Sequence, residues 1–296
     1  MNILLIGGSG QVGSELNEHL SKKYSVYSFP SSEFDLRDLS NIEETFMNLR
    51  PDFVINAAAY TNVRSAEQNI ALARSINFKG VENLAKACRE FSTPLCHLST
   101  DYVFKGEQNN DYMENDLTQP INVYGSSKLE GEETIRSLLN DYLIIRTSWV
   151  FGNGKNFVKT ILESAKNKKE LSVINDQYGG PTSSRAIALC IGKLTDQFFS
   201  TKKMFWGTYH FCGQPKTSWY DFAEEICMQA KKAGIIDFQP IVNSINSESF
   251  QDQVKRPKNS YLSCKKIYEN FGIEQPDWKI ELKAYLDNLI RAKNLN

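Results

Sequence analysis

Histidine is scarce and cysteine is unpatterned in this chain: His19, His97 and His210 lie far apart in 296 residues. Cys88, Cys96, Cys190, Cys212, Cys227 and Cys264 include no C-x-x-C pair. Neither a zinc site nor a disulfide framework is indicated. Charge of one sign is not in excess either. The 34 Lys and Arg against 35 Asp and Glu leave a formal net charge of -1, which supplies no global attraction to nucleic acid or to an anionic membrane. The apolar run from Ile3 to Ile6 is too short for a signal peptide, lacks a basic flank and leads straight into glycines. Internal repeats, low-complexity tracts and long linkers are missing as well. These absences predict a cytoplasmic, reducing location. With 41% apolar and 23% charged residues, the chain reads as an ordinary globular protein of one large or two modest domains.

What is present begins with a strand, Asn2 to Ile6, stopped by Gly7-Gly8. Gly7-x-x-Gly10-x-x-Gly13 then runs through Gln11 and Val12 into a helix. Such a strand-to-helix turn lets the backbone approach a pyrophosphate at the helix N-terminus, so Gly7, Gly10, Gln11 and Val12 are predicted to hold a dinucleotide. A second strand, near Tyr24 to Phe29, ends in Pro30-Ser31-Ser32, where an NAD-selective site would commonly carry an acid. The hydroxyl of Ser31 could bond a 2'-phosphate, which favours NADPH; Glu33 leaves NADH open, and no arginine is read nearby. Asp35-Leu36 is expected to end a further short strand and to contact adenine. The strand from Asp52 ends in the small residues Ala57, Ala58 and Ala59, which let the chain pass close beneath a cofactor. A helix is predicted from Ala71 to Phe91, with Asn77 off its apolar stripe. Thr100 follows the strand Pro94 to Leu98, at the carboxyl end of a parallel strand where open sheets bind ligands.

Tyr124 and Lys128 stand four residues apart at the start of an expected helix, which puts phenol and ammonium on one face. A cation beside a tyrosine lowers the phenolic pKa from about 10 and makes it a usable proton donor to a carbonyl oxygen. The pair alone is a weak pattern, so it needs a reductant and a pocket around it.

Gly7-x-x-Gly10-x-x-Gly13, Asn56-Ala57-Ala58-Ala59, Ser99-Thr100-Asp101-Tyr102-Val103-Phe104 and Tyr124-x-x-x-Lys128 resemble, in order and spacing, the extended short-chain dehydrogenases/reductases. Residues 146–151, 175–182 and 256–260 are similar to stretches of that family's nucleotide-sugar reductases. The resemblance implies an α/β fold: a Rossmann-type doubly wound parallel sheet over residues 1–150, joined by about 183–212, with a smaller C-terminal α/β substrate lobe within 151–296. It implies NADPH-dependent reduction of the C4 ketone of dTDP-4-dehydro-6-deoxy-L-mannose. Tyr124 would be the acid, Lys128 would bond the nicotinamide ribose and depress the tyrosine pKa, and Thr100 would hold the substrate oxygen. Asn77 would order the site. Phe104, Trp149, Asn156, Gln177, Thr182 and Arg256 would line the nucleotide-sugar pocket.

The chain departs from the family at Thr61-Asn62-Val63-Arg64, where Arg64 replaces an acid. Some members carry magnesium between glutamates at a dimer contact. Glu15 is present, but Arg185 stands where another glutamate is expected, so no metal and no metal-bridged dimer are predicted; monomer and homodimer both stay open. His210 is expected to be a satisfied strand residue. Two other readings compete: a reductase of a different nucleotide-activated 4-keto-deoxysugar, and a non-catalytic NADP-binding regulatory subunit of similar fold.

Overall fold

The run Asn2–Ile6 forms β1, and its four apolar residues are buried because helices cover both faces of the sheet it enters. Our computed structural model describes residues 1–30, 33–249 and 254–294. Helix α1 (Gln11–Leu20) leads to β2 (Ser25–Phe29), and α2 (Leu39–Leu49) to β3 (Phe53–Asn56). The short helices α3 (Val63–Gln68) and α4 (Ile70–Arg74) precede α5 (Val81–Glu90), β4 (Leu95–Thr100), α6 (Val123–Leu138) and β5 (Tyr142–Thr147). With the late strand Gly207–His210 these make a six-stranded parallel sheet in the order β2-β1-β3-β4-β5-(207–210). The order reverses between β1 and β3, which opens a crevice at their carboxyl ends, where doubly wound sheets take ligands.

One face is covered by α1 and the helix Ser184–Thr201, through Leu16, Leu20, Ile187 and Ile191. The other is covered by α2, α5 and α6, through Ile42, Phe46, Leu84 and Ile135. The smaller C-terminal α/β region has its own core. There Ile161, Leu162, Phe222, Ile226, Trp278 and Leu282 close around the parallel strand pair Glu170–Ile174 and Ile241–Ile245.

Two local expectations are corrected. The strand expected to end at Asp35-Leu36 is a turn, with Phe34 N–H on Pro30 O (3.0 Å) and Asp38 N–H on Asp35 O (2.9 Å). Leu36 is drawn into the core beneath α5, where Asn83 Nδ2 caps its carbonyl at 3.1 Å, so the segment has no edge to pair with. The helix expected over 71–91 is not continuous. Residues Ser75–Gly80 widen into a π-helical turn between α4 and α5. Turns of that kind recur at functional sites. Here it carries Asn77, placed by periodicity on the solvent side, into the interior at 1% exposure.

Candidate active site

The glycine turn closes onto the end of β3. Gly7 has φ +80°, and a Cβ on it would lie 2.6 Å from Ala58 N; on Gly13 it would lie 2.0 Å from Gly7 O. Only bare backbone permits both approaches. Gly10 caps α1 without a side-chain acceptor, and no acid stands in the first turn. The N–H groups there, at the positive end of the helix dipole, suit an anionic pyrophosphate. Ala57 and Ala58 lie against the same turn. Gln11 Oε1 accepts from Asn156 Nδ2 (3.1 Å), so the turn is tied to the helix Phe157–Asn167, whose N-cap is Asn156. Val12 packs on the core. Asp35 is engaged by Arg37, an arginine the sequence reading passed over, through contacts of 2.6 and 3.0 Å, which hold its carboxyl below the usual range. Ser31 lies outside the described residues.

Thr100 ends β4 next to the glycine crevice. Its hydroxyl donates to Asp101 Oδ1 (3.0 Å) and accepts from Tyr102 N–H (3.2 Å), and it stands close enough to the Tyr124 phenol to favour that group's charged form. Tyr124 comes from the first turn of α6. Asn122 caps that helix, accepting from Gly125 N–H (2.8 Å), and Glu67 Oε1 accepts from Val123 N–H (2.8 Å). Asn77 clamps the neighbouring loop: Oδ1 accepts from Tyr60 N–H (2.8 Å), and Nδ2 donates to Tyr60 O (3.1 Å) and Ser127 Oγ (3.0 Å). The structure thus brings Thr100, Tyr124, Lys128 and Asn77 around one strand end.

The electrostatics differ from expectation. Burial, with the Asp101 and Tyr102 charges behind it, pushes the Tyr124 phenol up rather than down, against the opposing pull of the Thr100 hydroxyl. The reason is the direction of Lys128, which is 1% exposed and lies back on β4. Its Nζ meets His97 Nε2 at 3.1 Å and Leu98 O at 2.7 Å. None of the hydrogen bonds among the described residues joins it to Tyr124. Burial lowers its pKa to about 8 against the opposing pull of Glu132. Burial also raises the Asp101 carboxyl to about 7, although the neighbouring Ser260 and Thr100 hydroxyls favour its charged form.

A cleft of about 1070 Å³ adjoins the tip of α6 and is lined by Arg64, Lys105, Lys168, Lys255, Arg256 and Lys258, with Glu107, Glu170 and Glu248 as the carboxylates that the described residues place on its wall. That excess of cations suits a diphosphate. Gln177 lines it as well. Asn122 Nδ2 donates to Lys255 O (3.0 Å), tying the strap that carries Arg256 to the start of α6. The aromatic wall is Trp219 and Phe157. Trp149 stacks on the far side of Trp219 at 3.5 Å and 6°, with a left-handed backbone at φ 47°. Trp219 was missed in the sequence because its burial depends on that stacking across 70 positions. Phe104 is 0% exposed, stacked on Tyr112 at 4.2 Å, and Thr182 is 0% exposed, bonded to Gly180 O (2.9 Å) and Gly213 N–H (3.2 Å); both sit behind the cleft. His210 is buried, facing Tyr112 O (3.0 Å) and Arg146 (3.4 Å).

At the position considered for a metal, Arg185 Nη1 bonds Glu281 Oε1 (3.1 Å). Burial raises the nearby Glu15 carboxyl, with Glu18 and Glu281 adding to this and Arg185 opposing it. Among the described residues no group of three or more His, Cys, Asp or Glu stands close enough to hold a metal ion, and no helix is long and apolar enough to cross a membrane.

The chain is similar along its whole length to known proteins. The sequence profile of the family described as RmlD substrate binding domain matches residues 1–291. A dTDP-4-dehydrorhamnose reductase of Escherichia coli (strain K12) is 40% identical over 98% of both chains. The crystal structure of a dTDP-4-dehydrorhamnose reductase from Clostridium acetobutylicum superposes with a TM-score of 0.91 at 36% identity, covering 98% of this chain and 99% of that one. Another from Bacillus anthracis, solved in complex with NADP, gives 0.89 at 34% identity over 97% and 99%. UDP-glucose 4-epimerase of Thermotoga maritima, at 18% identity and a TM-score of 0.82, shares the fold. With the glycine crevice, the Thr100–Tyr124 pair and the cationic cleft in one molecule, this chain belongs to the dTDP-4-dehydrorhamnose reductase family, of the extended short-chain dehydrogenases/reductases.

Proposed function

We propose that this chain reduces the C4 ketone of dTDP-4-dehydro-6-deoxy-L-mannose to dTDP-L-rhamnose with NADPH, in the cytoplasm. The observation that carries the reading is the Thr100 hydroxyl beside the Tyr124 phenol, in a molecule with a glycine crevice that fits a dinucleotide and a cleft rich in cations. A reduced nicotinamide bound in that crevice supplies the hydride for the sugar carbon. Tyr124 gives its phenolic proton to the C4 oxygen, and Thr100 hydrogen-bonds that oxygen, so negative charge does not build up on it. Arg256 and its neighbours neutralise the diphosphate, and Trp219 and Phe157 offer flat apolar surface to a sugar or a pyrimidine. The test is a nicotinamide absorbance assay with the dTDP-keto sugar. Oxidation of NADPH with formation of dTDP-L-rhamnose is expected. Tight NADPH binding without turnover on any keto sugar would overturn the reading in favour of a non-catalytic subunit.

For the choice of nucleotide, Ser31→Asp is expected to weaken NADPH roughly tenfold more than NADH, through repulsion of the 2'-phosphate. Equal changes in both dissociation constants, measured by fluorescence titration, would show that Ser31 does not face the adenosine ribose. Arg185 supports a reaction and an assembly without a bridging metal, since its guanidinium already sits on Glu281 and beside Glu15. Chelation with excess EDTA is expected to leave both the turnover and the sedimentation of the protein unchanged; loss of either speaks for a metal.

A further inference from the structure

Lys128 is held by a chain of hydrogen bonds whose polarity can be read from its far end. Asn56 closes β3 and His97 lies opposite it in register on β4; both are fully buried. Ala58 N–H donates to Asn56 Oδ1 at 3.0 Å, which fixes the orientation of the amide and turns Nδ2 toward His97 Nδ1 at 3.1 Å. An amide nitrogen only donates, so Nδ1 is an acceptor and carries no proton. Flipping the amide would set its NH2 against the Ala58 N–H. His97 is neutral, because burial pushes its pKa well below 6.5 whether or not Lys128 is charged. A neutral imidazole with a bare Nδ1 carries its proton on Nε2. That N–H faces Lys128 Nζ at 3.1 Å. An ammonium has no lone pair to accept it, whereas a neutral amine accepts it and still donates to Leu98 O at 2.7 Å.

We propose that Asn56 and His97 are positioning residues that hold Lys128, in the cofactor-free protein at pH about 9, as a neutral amine turned back onto β4, so that its release toward a nicotinamide ribose takes up one proton from solvent. This rests on the reductase reading only for the identity of what releases the lysine. The balance is Lys128-NH2 plus a solvent proton giving Lys128-NH3+, with His97 unchanged. The groups around the amine agree with storage in that form. His97 faces it from β4, and Tyr124 and Glu132 lie on its own helix. Glu132 is spent on Arg146 of β5 and on Arg136, with Ser99 on its other oxygen. Asp101 and Tyr102 face Tyr124 from the 3-10 turn after β4, while Arg74 pairs with Glu130, and Lys79 and Lys86 pair with Glu82, on the outer faces. Burial acts in the same direction. The sequence could not show this, since it depends on the register of two strands 41 residues apart.

The first test needs no cofactor. In 15N-labelled full-length protein, the His97 ring is expected to show an unprotonated Nδ1 and a protonated Nε2 across pH about 6 to 9, a range where a free histidine (pKa about 6.5) changes its charge. A protonated Nδ1, or an imidazolium, would overturn the proposal. The second is calorimetry of NADPH binding in buffers of different ionisation heat at pH about 9, below the value of about 10.4 for an ordinary lysine. Uptake of close to one proton is expected for the native protein. It is expected to fall toward zero in His97→Gln, whose amide oxygen can accept from an ammonium, with NADPH affinity within about tenfold. No uptake by the native protein would contradict the proposal, whereas failure of NADPH to bind at all would strike the reductase reading and leave the tautomer result to decide this one.

Discussion

Replacing Tyr124 by phenylalanine is expected to lower kcat by about 10²–10⁴-fold, the range supplied by a positioned general acid. The substitution removes one oxygen and leaves the ring, which packs edge-on against Tyr102 at 5.7 Å between centroids. NADPH affinity should stay within about threefold, because the crevice is made by Gly7, Gly13 and the alanines that follow β3. The raised phenol pKa means that the acid form is fully populated at neutral pH in the cofactor-free protein. Its readiness to part with the proton then depends on a cation arriving, and Lys128 is the cation within the same helix face. Steady-state kinetics check the split: kcat and kcat/KM fall together if the proton is given only in the transition state. A fall of less than about tenfold would mean that the proton comes from another donor, with water or the neighbouring Asp101 as the candidates.

The other large effect lies beneath the site. Glu132→Ala is expected to destabilise the protein by about 3–5 kcal/mol, the loss found when one partner of a buried ion pair is removed. Glu132 is 0% exposed and receives Arg146 Nε (2.9 Å) and Nη2 (2.7 Å), Ser99 Oγ (2.5 Å) and Arg136 Nη1 (3.0 Å). Alanine leaves the Arg146 guanidinium, itself 2% exposed, without its carboxylate, facing only the Glu114 carbonyl, His210 and the Phe104 ring. Burial raises the Glu132 carboxyl, but Arg146, Ser99 and Arg136 together outweigh that and leave it below the ordinary range. The sign follows from linkage. A depressed folded pKa contributes stability above the unfolded value, near 4.3, and that contribution is lost as pH falls through the folded value. The difference between native protein and Glu132→Ala in urea midpoint should therefore be full near neutrality and shrink in acid. A loss below about 1 kcal/mol at neutral pH would show that the cluster gives no net support. Ser99 adjoins Thr100, so the Thr100 hydroxyl is also expected to lose its fixed position.

What could be read in the sequence was what is encoded locally. The apolar run into Gly7-Gly8, the spacing of Gly10 and Gly13, and the four-residue step from Tyr124 to Lys128 each specify a turn or a helix face within a dozen residues. Ser218 and Asn156 cap their helices for the same reason. The direction of Lys128 was not legible, because burial against His97 and Leu98 decides it and neither is near it in the chain. Asn77 defeated periodicity because the π-helical turn shifts the register of every later side chain. The roles of Trp149 and Trp219 divide only once the two rings stack, and Phe104 is withdrawn behind the cleft by Tyr112, eight residues on. Arg64 stood out in the sequence as a reversed charge. The structure sets it on the wall of the cationic cleft, where it adds to the charge offered to a diphosphate.

The central claim is that hydride reaches C4 of a dTDP-bound keto sugar in the crevice beside Thr100 and Tyr124. It is tested most directly by running the reaction with NADPH deuterated at the transferring position of the nicotinamide and following the sugar by NMR. Deuterium at C4 of dTDP-L-rhamnose, in a single configuration and absent from the Tyr124→Phe reaction over the same interval, is the predicted result. Oxidised cofactor with no deuterium at C4, or no reaction of this sugar with the native protein, would contradict it.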